Sequence, residues 1–493
     1  MAHRLRLAAL ALALGAIAGW LPQASATVQP RAYNLTVLNQ SRGRQIPDDF
    51  LGLSMEVWDL PQLAGSVPEA GVNPDFLRLL ELLDPSRKHP VQVRVGAGSA
   101  QDTWFGPEAT AASGITYTVS KQWWDDLAAI VRHTGASVVL TANRARGTAH
   151  DLAKFARAAT SQLPDFTVEP DNEPDLYARE AAALRSEPYA FSEYQREWRD
   201  DLSALASEGL GAIPLAGPSA SADDDSWLHA VVSAAAAGVY RPSMTTWHYY
   251  PLSTCGSAPT DPWYPTINLL SSQWLEAKTQ RTFRRLVSSL TSVGLRARID
   301  EAGNVGCLGK QGVSDSLAAG LWAINTLFDA ASAGVSGFDF HNETPLPFSP
   351  ILKTRTGRLY VTATYYGMKL FADAVAGPST HLAPLAGAQT LPAGVRGFAT
   401  IDARGWKRIV LTSTARGSEE LRIRASGAPQ ARETVLTASS LGATSDLSYG
   451  GTSLTPDAHI KAKRIDRTKS GYFDIRLAGA RAILLVVPPM ARP

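Results

Sequence analysis

The chain has 493 residues, 45% hydrophobic and 19% charged, with a formal net charge of +2. That length exceeds one average domain and fits a barrel of about 250 residues or more with a small partner domain. Near-neutral charge argues against indiscriminate polyanion binding, and no nucleic-acid motif or phosphate-cradling glycine loop is present. With only 9 histidines and no His-x-His or His-Glu-x-x-His string, a metal hydrolase is disfavoured; neither metal nor cofactor is expected.

At the N-terminus, Arg4 and Arg6 precede an apolar stretch from Leu7 to Ala18, and Ala24-Ser25-Ala26 has the small-x-small pattern of signal peptidase cleavage. Trp20, Pro22 and Gln23 end the stretch short of the roughly 20 residues a membrane span needs. Residues 1–26 are therefore expected to be a signal peptide. The mature chain would start near Thr27, carry about zero net charge and be periplasmic or secreted. Residues 27–48 contain the strand-like Ala32–Leu38, assigned to a β-domain at the far end of the chain.

From 49 to 378, short apolar runs alternate with amphipathic stretches, the pattern of parallel strands with crossover helices. Eight strands are predicted: Phe50–Glu56, Val91–Ala97, Ser137–Asn143, Phe166–Asp171, Ile213–Ser219, Met244–Tyr250, Ala297–Glu301 and Gly337–His341. Helical stretches between them include Trp123–Arg132, Ala149–Ala159, Tyr194–Glu208, Thr282–Val293 and Ser314–Ala333. The fold class expected is α/β, a (β/α)₈ TIM barrel. After Gly377-Pro378, Val395–Ile401, Lys407–Thr412, Glu419–Ile423, Tyr472–Leu477 and Ala482–Val487 read as short strands. They make residues 379–493 a C-terminal antiparallel β-sandwich domain.

Catalytic groups of such a barrel sit where its strands end. Glu173, in Asn172-Glu173-Pro174-Asp175, follows strand four, and Glu301 ends strand seven. Two carboxylates facing one mouth are what acid-assisted glycosidic cleavage requires. Pro174 disfavours a helical backbone at Glu173. Asn172 can reach the mouth only if the backbone departs from strict alternation, and there its amide would bond a sugar hydroxyl. His248 and Tyr250, two apart, share a strand face. Glu56, Asp102, Trp104, His341 and Asn342 complete the candidate substrate-binding set. The only two cysteines, Cys255 and Cys307, follow strands six and seven; in an exported protein they suggest one disulfide, two unrelated thiols being the alternative.

These strings resemble glycoside hydrolase family 79, the β-glucuronidases and heparanases. The resemblance runs over nearly the whole mature chain. It includes Gly52–Glu56, Asn172-Glu173-Pro174-Asp175, Trp247-His248-Tyr249-Tyr250, Gly312-Val313-Ser314-Asp315 and Tyr365-Tyr366-Gly367-Met368. It implies a retaining mechanism with Glu173 as acid/base and Glu301 as nucleophile. It also places Asn172 at the 2-hydroxyl, Glu56 on the far side of the sugar and Tyr250 on the nucleophile, with a glucuronide or glucuronic-acid-containing glycan as substrate. The chain departs from the family pattern at Asp171 and Ala97, where glycine is usual. After Glu301, Ala302–Cys307 lacks the tyrosine that some members use on the uronate carboxylate; backbone amides near Gly337–Asn342 are the replacement considered. Two other readings stand beside this one: a retaining β-glycosidase for a neutral sugar, and a catalytically silent carbohydrate-binding protein.

Overall fold

Eight short segments bury almost every residue they contain, as strands covered on both faces must. They are β1 (Leu51–Glu56), β2 (Gln92–Gly96), β3 (Val138–Thr141), β4 (Thr167–Glu169), β5 (Ala216–Ser221), β6 (Met244–Tyr249), β7 (Ala297–Ala302) and β8 (Phe338–Asn342). The computed structural model describes residues 32–38, 43–65, 71–87, 90–105, 114–178, 184–186 and 188–490. The expected signal peptide lies outside them.

The strands form one sheet in the order β4-β3-β2-β1-β8-β7-β6-β5, every neighbouring pair parallel. A bridge between Val168 and Leu215, with the Val168 N–H donating to the Pro214 carbonyl at 3.0 Å, closes the ring. The amphipathic helices between strands include Lys121–Thr134, Ala149–Thr160, Phe191–Ser207, Gln273–Thr291 and Leu317–Ala333.

A smaller β-sandwich completes the molecule. One sheet orders Leu385–Ala386, Ala32–Val37, Ser418–Arg424 and Phe473–Ala478. The first strand of the described chain thus runs parallel to Ser418–Arg424. The facing sheet is centred on Val395–Ile401, Lys407–Ser413, Arg481–Val487 and Gln430–Thr437. Leu35, Ile409, Leu421, Ile475, Ile483 and Leu485 fill the space between the sheets. On the other face of the second sheet, Phe398 stacks on Phe328 of the barrel helix with ring centroids 4.4 Å apart. The loop from Leu441 to Ala443 accepts the N–H groups of Leu317 and Ala318, each at 2.9 Å, capping that helix on the face of the barrel where the strands end.

Two breaks in strand register position the site. β7 slips against β6 between Ile299 and Glu301, and β5 slips against β6 between Pro218 and Ala220. A slip of this kind turns consecutive residues toward one face where strict alternation would send them to opposite faces.

Candidate active site

The upper interior of the barrel is charged rather than aliphatic, and Arg94 stands at its centre. Fully buried on β2, its Nε donates to Glu169 Oε2 at 2.8 Å, and one Nη donates to Ser54 Oγ at 3.0 Å and Glu301 Oε2 at 2.8 Å. The other Nη reaches Asn172 Oδ1 at 2.9 Å and Ser219 Oγ at 3.1 Å. Because of the slip in β7, Asp300 also faces inward, 3.2 Å from Arg94 Nε. Burial drives the Asp300 carboxyl well above the usual range, with Glu169 beside it adding to the shift. Burial works the same way on Glu169, but Arg94 outweighs it and holds that group low. The two neighbours are thus pushed in opposite directions, Asp300 toward its neutral form and Glu169 toward the anion that faces the guanidinium.

Glu301 sits at the top of this cluster. Its Oε1 accepts the Tyr250 hydroxyl at 2.9 Å, while Oε2 takes Arg94. Burial would raise its carboxyl, but His248, His341, Arg94 and the Tyr250 hydroxyl hold it well below the usual carboxylate range. This is an ionised, oriented carboxylate, the form a nucleophile requires. Tyr249 points the other way, its hydroxyl donating to Thr279 Oγ1 on the helix behind the sheet at 2.7 Å, as strand alternation demands.

Glu173 lies on the turn after β4 in a left-handed conformation, φ 48° and ψ 51°. Its N–H donates to the Ser219 carbonyl at 3.0 Å. That geometry lets both Asn172 and Glu173 serve the mouth, and Glu173 stays 27% exposed where Glu301 is 8% exposed. His248 joins the two acids, its Nδ1 lying 3.1 Å from Glu173 Oε1 and 3.7 Å from Glu301 Oε1. The two carboxylate oxygens can therefore be no farther apart than the sum of those distances, about 6.8 Å. Burial alone would lower the His248 imidazole; Glu301, Glu173 and Asp300 reverse this and push it up to about 9.

Glu56 and His341 form the opposite wall. Glu56 Oε2 accepts the Ser99 N–H at 2.6 Å, and Oε1 lies 3.4 Å from His341 Nε2. His341 Nδ1 is 3.9 Å from Glu301 Oε2, and its ring stacks on Phe348. Among the described residues, Glu56, His341 and Glu343 form a group whose ligand atoms all lie within 4.8 Å of one another. Although burial opposes it, Glu301, Glu343 and Glu56 hold the His341 imidazole well above the usual histidine range. The shift favours the imidazolium form, which pairs with those carboxylates.

The remaining candidates lie farther out. Asn342 is fully buried and committed at both ends, donating to Asp59 Oδ2 at 2.7 Å and accepting the Ile351 N–H at 2.8 Å. Through these two bonds it braces the loop after β8. Asp102 pairs with Arg146 at 3.2 Å on the rim. Trp104 continues the same segment, and its indole N–H is buried without a partner. From the same loop Gln101 reaches the site, its amide donating to the Asn172 carbonyl at 3.0 Å, alongside the Ser99 N–H on Glu56. Cys255 and Cys307 are bonded to each other, joining the loops after β6 and β7. The departures from the family pattern also have places in the structure. Asp171 is buried and accepts the Tyr177 hydroxyl at 2.9 Å, and Ala97 occupies φ 48°, ψ −147°, a region that favours glycine.

Sequence reasoning missed Arg94, Glu169 and Asp300. The available signal was a lone arginine between Val93 and Val95 in a strand with no other charge, a charge that no barrel interior accepts without partners.

No family model and no curated protein matches this chain. Solved structures do. A 4-O-α-L-rhamnosyl-β-D-glucuronidase from Fusarium oxysporum 12S is 17% identical with a TM-score of 0.71, over 93% of this chain and 100% of that one. A GH51 arabinofuranosidase from Xanthomonas axonopodis pv. citri is 15% identical with a TM-score of 0.66, over 92% and 99%. The catalytic domain of GH30 xylanase C from Talaromyces cellulolyticus is 13% identical with a TM-score of 0.54, over 92% and 99%. At such identities the likeness establishes the fold, a TIM barrel with a β-sandwich domain.

Proposed function

We propose that this chain is a retaining glycoside hydrolase of the family 79 type that cleaves β-linked glucuronic acid. In this reading residues 49–378 form the catalytic barrel, and 27–48 with 379–493 form the β-domain. Residues 1–26 are a signal peptide that directs export. The observation that carries the reading is His248 touching both carboxylates. Their nearest oxygens are no more than about 6.8 Å apart, a bound that admits the roughly 5–5.5 Å of retaining enzymes and excludes most of the roughly 6.5–9.5 Å range of inverting ones.

Glu301 attacks the anomeric carbon as the Glu173 proton passes to the leaving oxygen. The His248 imidazolium then holds the new Glu173 carboxylate through a charge-assisted hydrogen bond. Once Glu301 is esterified its negative charge is gone. Glu173 takes a proton from water, and the ester is hydrolysed with retention. Asn172, kept in place by Arg94, is positioned for the 2-hydroxyl.

The test is a pair of variants. Glu301→Gln should abolish turnover, while Glu173→Ala should retain it only on substrates with good leaving groups and gain rate with azide. Wild-type rates in both would overturn the assignment. One observation favours a neutral sugar instead: Arg94, His248 and His341 all already face carboxylates. Comparing aryl β-glucuronide with the glucoside, xyloside and galactoside decides between the two.

A further inference from the structure

Outside the catalytic cleft, two tryptophans are exposed side by side. Trp263 is 56% and Trp274 40% exposed, and their ring centroids lie 4.7 Å apart. Water-facing indoles are costly unless they meet a partner. Helices of a (β/α)₈ barrel begin on the face where its strands end. Trp274 is the second residue of the helix Gln273–Thr291 that follows β6, and Trp263 lies on the loop leading to it. Both therefore stand on the face that carries Glu301. The loop is held firmly: the Cys255–Cys307 bond ties it to the loop after β7. Lys310 donates to the Pro265 carbonyl at 2.8 Å and lies over the Tyr264 ring at 3.9 Å.

Beside this ledge the same loop forms one wall of a cavity of about 820 Å³, through Asn268 and Ser271. The opposite wall belongs to the β-sandwich, through Ser439, Ser440, Arg416 and Arg481. No aspartate or glutamate among the described residues lines it. Among the described residues neither arginine meets a carboxylate, and the Arg481 Nε is buried without any hydrogen-bond partner. Two uncompensated guanidiniums among hydroxyls and an amide ask for an anion that also carries hydroxyl groups. A carboxylate matches the guanidinium fork, and a sugar ring presents a C–H face to indole.

We propose that this rim is a second glycan subsite for a polysaccharide bearing uronic acid, its chain lying across Trp263 and Trp274 with a carboxylate in the Arg416–Arg481 cavity. The substrate would then be a polymer or long oligosaccharide rather than a small glucuronide, an inference that rests on the glycosidase reading. The experiment is native electrophoresis of the Glu301→Gln protein through gels containing glucuronoxylan, hyaluronan, polygalacturonate or neutral xyloglucan. At least one acidic polysaccharide should retard the parent, and xyloglucan should not. Both W263A/W274A and R416A/R481A should weaken that retardation about tenfold, whereas W263Y/W274Y should keep most of it. In the Glu301 background the same pairs should leave kcat/KM on an aryl β-glucuronide unchanged. Absence of retardation by every acidic polymer, or a loss confined to one of the two alanine pairs, overturns the subsite. Retardation that behaves as described in a protein inactive on every aryl glycoside would count against the catalytic reading alone.

Discussion

Replacing Arg94 by methionine tests the electrostatic design of the barrel floor. The guanidinium contacts Glu169, Asp300, Glu301, Asn172, Ser54 and Ser219 without any exposure to water. Methionine fills much of the volume but leaves the buried anions uncompensated, a change that typically costs about 3–5 kcal/mol. Unfolding entropy of ~2.1 cal/mol/K per residue over the roughly 430 described residues is about 0.9 kcal/mol per degree. The melting temperature should therefore fall by about 3–5 °C by calorimetry. A second effect concerns Glu301. A depressed carboxyl contributes stability that is present above the usual glutamate range and lost as pH falls through its folded value. Removing one of the cations that depress Glu301 raises that folded value, so the acid limb of kcat/KM should move upward in Arg94→Met. Arg94→Lys restores charge but not the fork, so it should recover part of the acid limb and little of the contact to Asn172. A variant that melts within about 1 °C of wild type with an unmoved acid limb would refute the reasoning.

Three further outcomes are expected. His248 is pushed up to about 9 from an ordinary 6.5, so its contribution is complete below pH 6.5 and disappears as pH rises through 9. Melting curves should show wild type losing roughly 3 kcal/mol across that window relative to His248→Gln, the two converging at the alkaline end. The Cys255–Cys307 bond closes a loop with a sequence separation of 52; reduction should lower stability by about 4 kcal/mol in the chain-entropy account, and thiol titration of the unreduced, unfolded protein should find none free. Ala97 holds a backbone region suited to glycine, so Ala97→Gly should stabilise by about 1 kcal/mol without altering kcat.

Much of the barrel was legible because its strands, buried on both faces, read as apolar runs between amphipathic helices. Edges were less so: the fourth strand is Thr167–Glu169 rather than Phe166–Asp171, because the turn that presents Glu173 begins earlier than its apolar neighbours suggest. Gln430–Thr437 escaped notice although it pairs centrally in the sandwich. Arg432 and Glu433 interrupt its apolar alternation, and only tertiary packing reveals which face they occupy. In the site, residues at strand ends could be named from sequence. The contacts of Asn342, the inward turn of Asp300 and the reach of Arg94 depend on register slips and on partners far along the chain, which no local pattern encodes.

The pairing of Ala32–Val37 with Ser418–Arg424 has a consequence for biogenesis. During synthesis this strand emerges before any part of the barrel, yet its parallel neighbour is made only after the barrel is complete. Until then an apolar edge bearing Leu35 and Val37 waits without its sheet, the kind of exposed edge that invites wrong pairings. Docking of this strand is therefore a long-range closure between segments nearly 400 residues apart, and conditions that slow it should favour aggregation over loss of barrel structure.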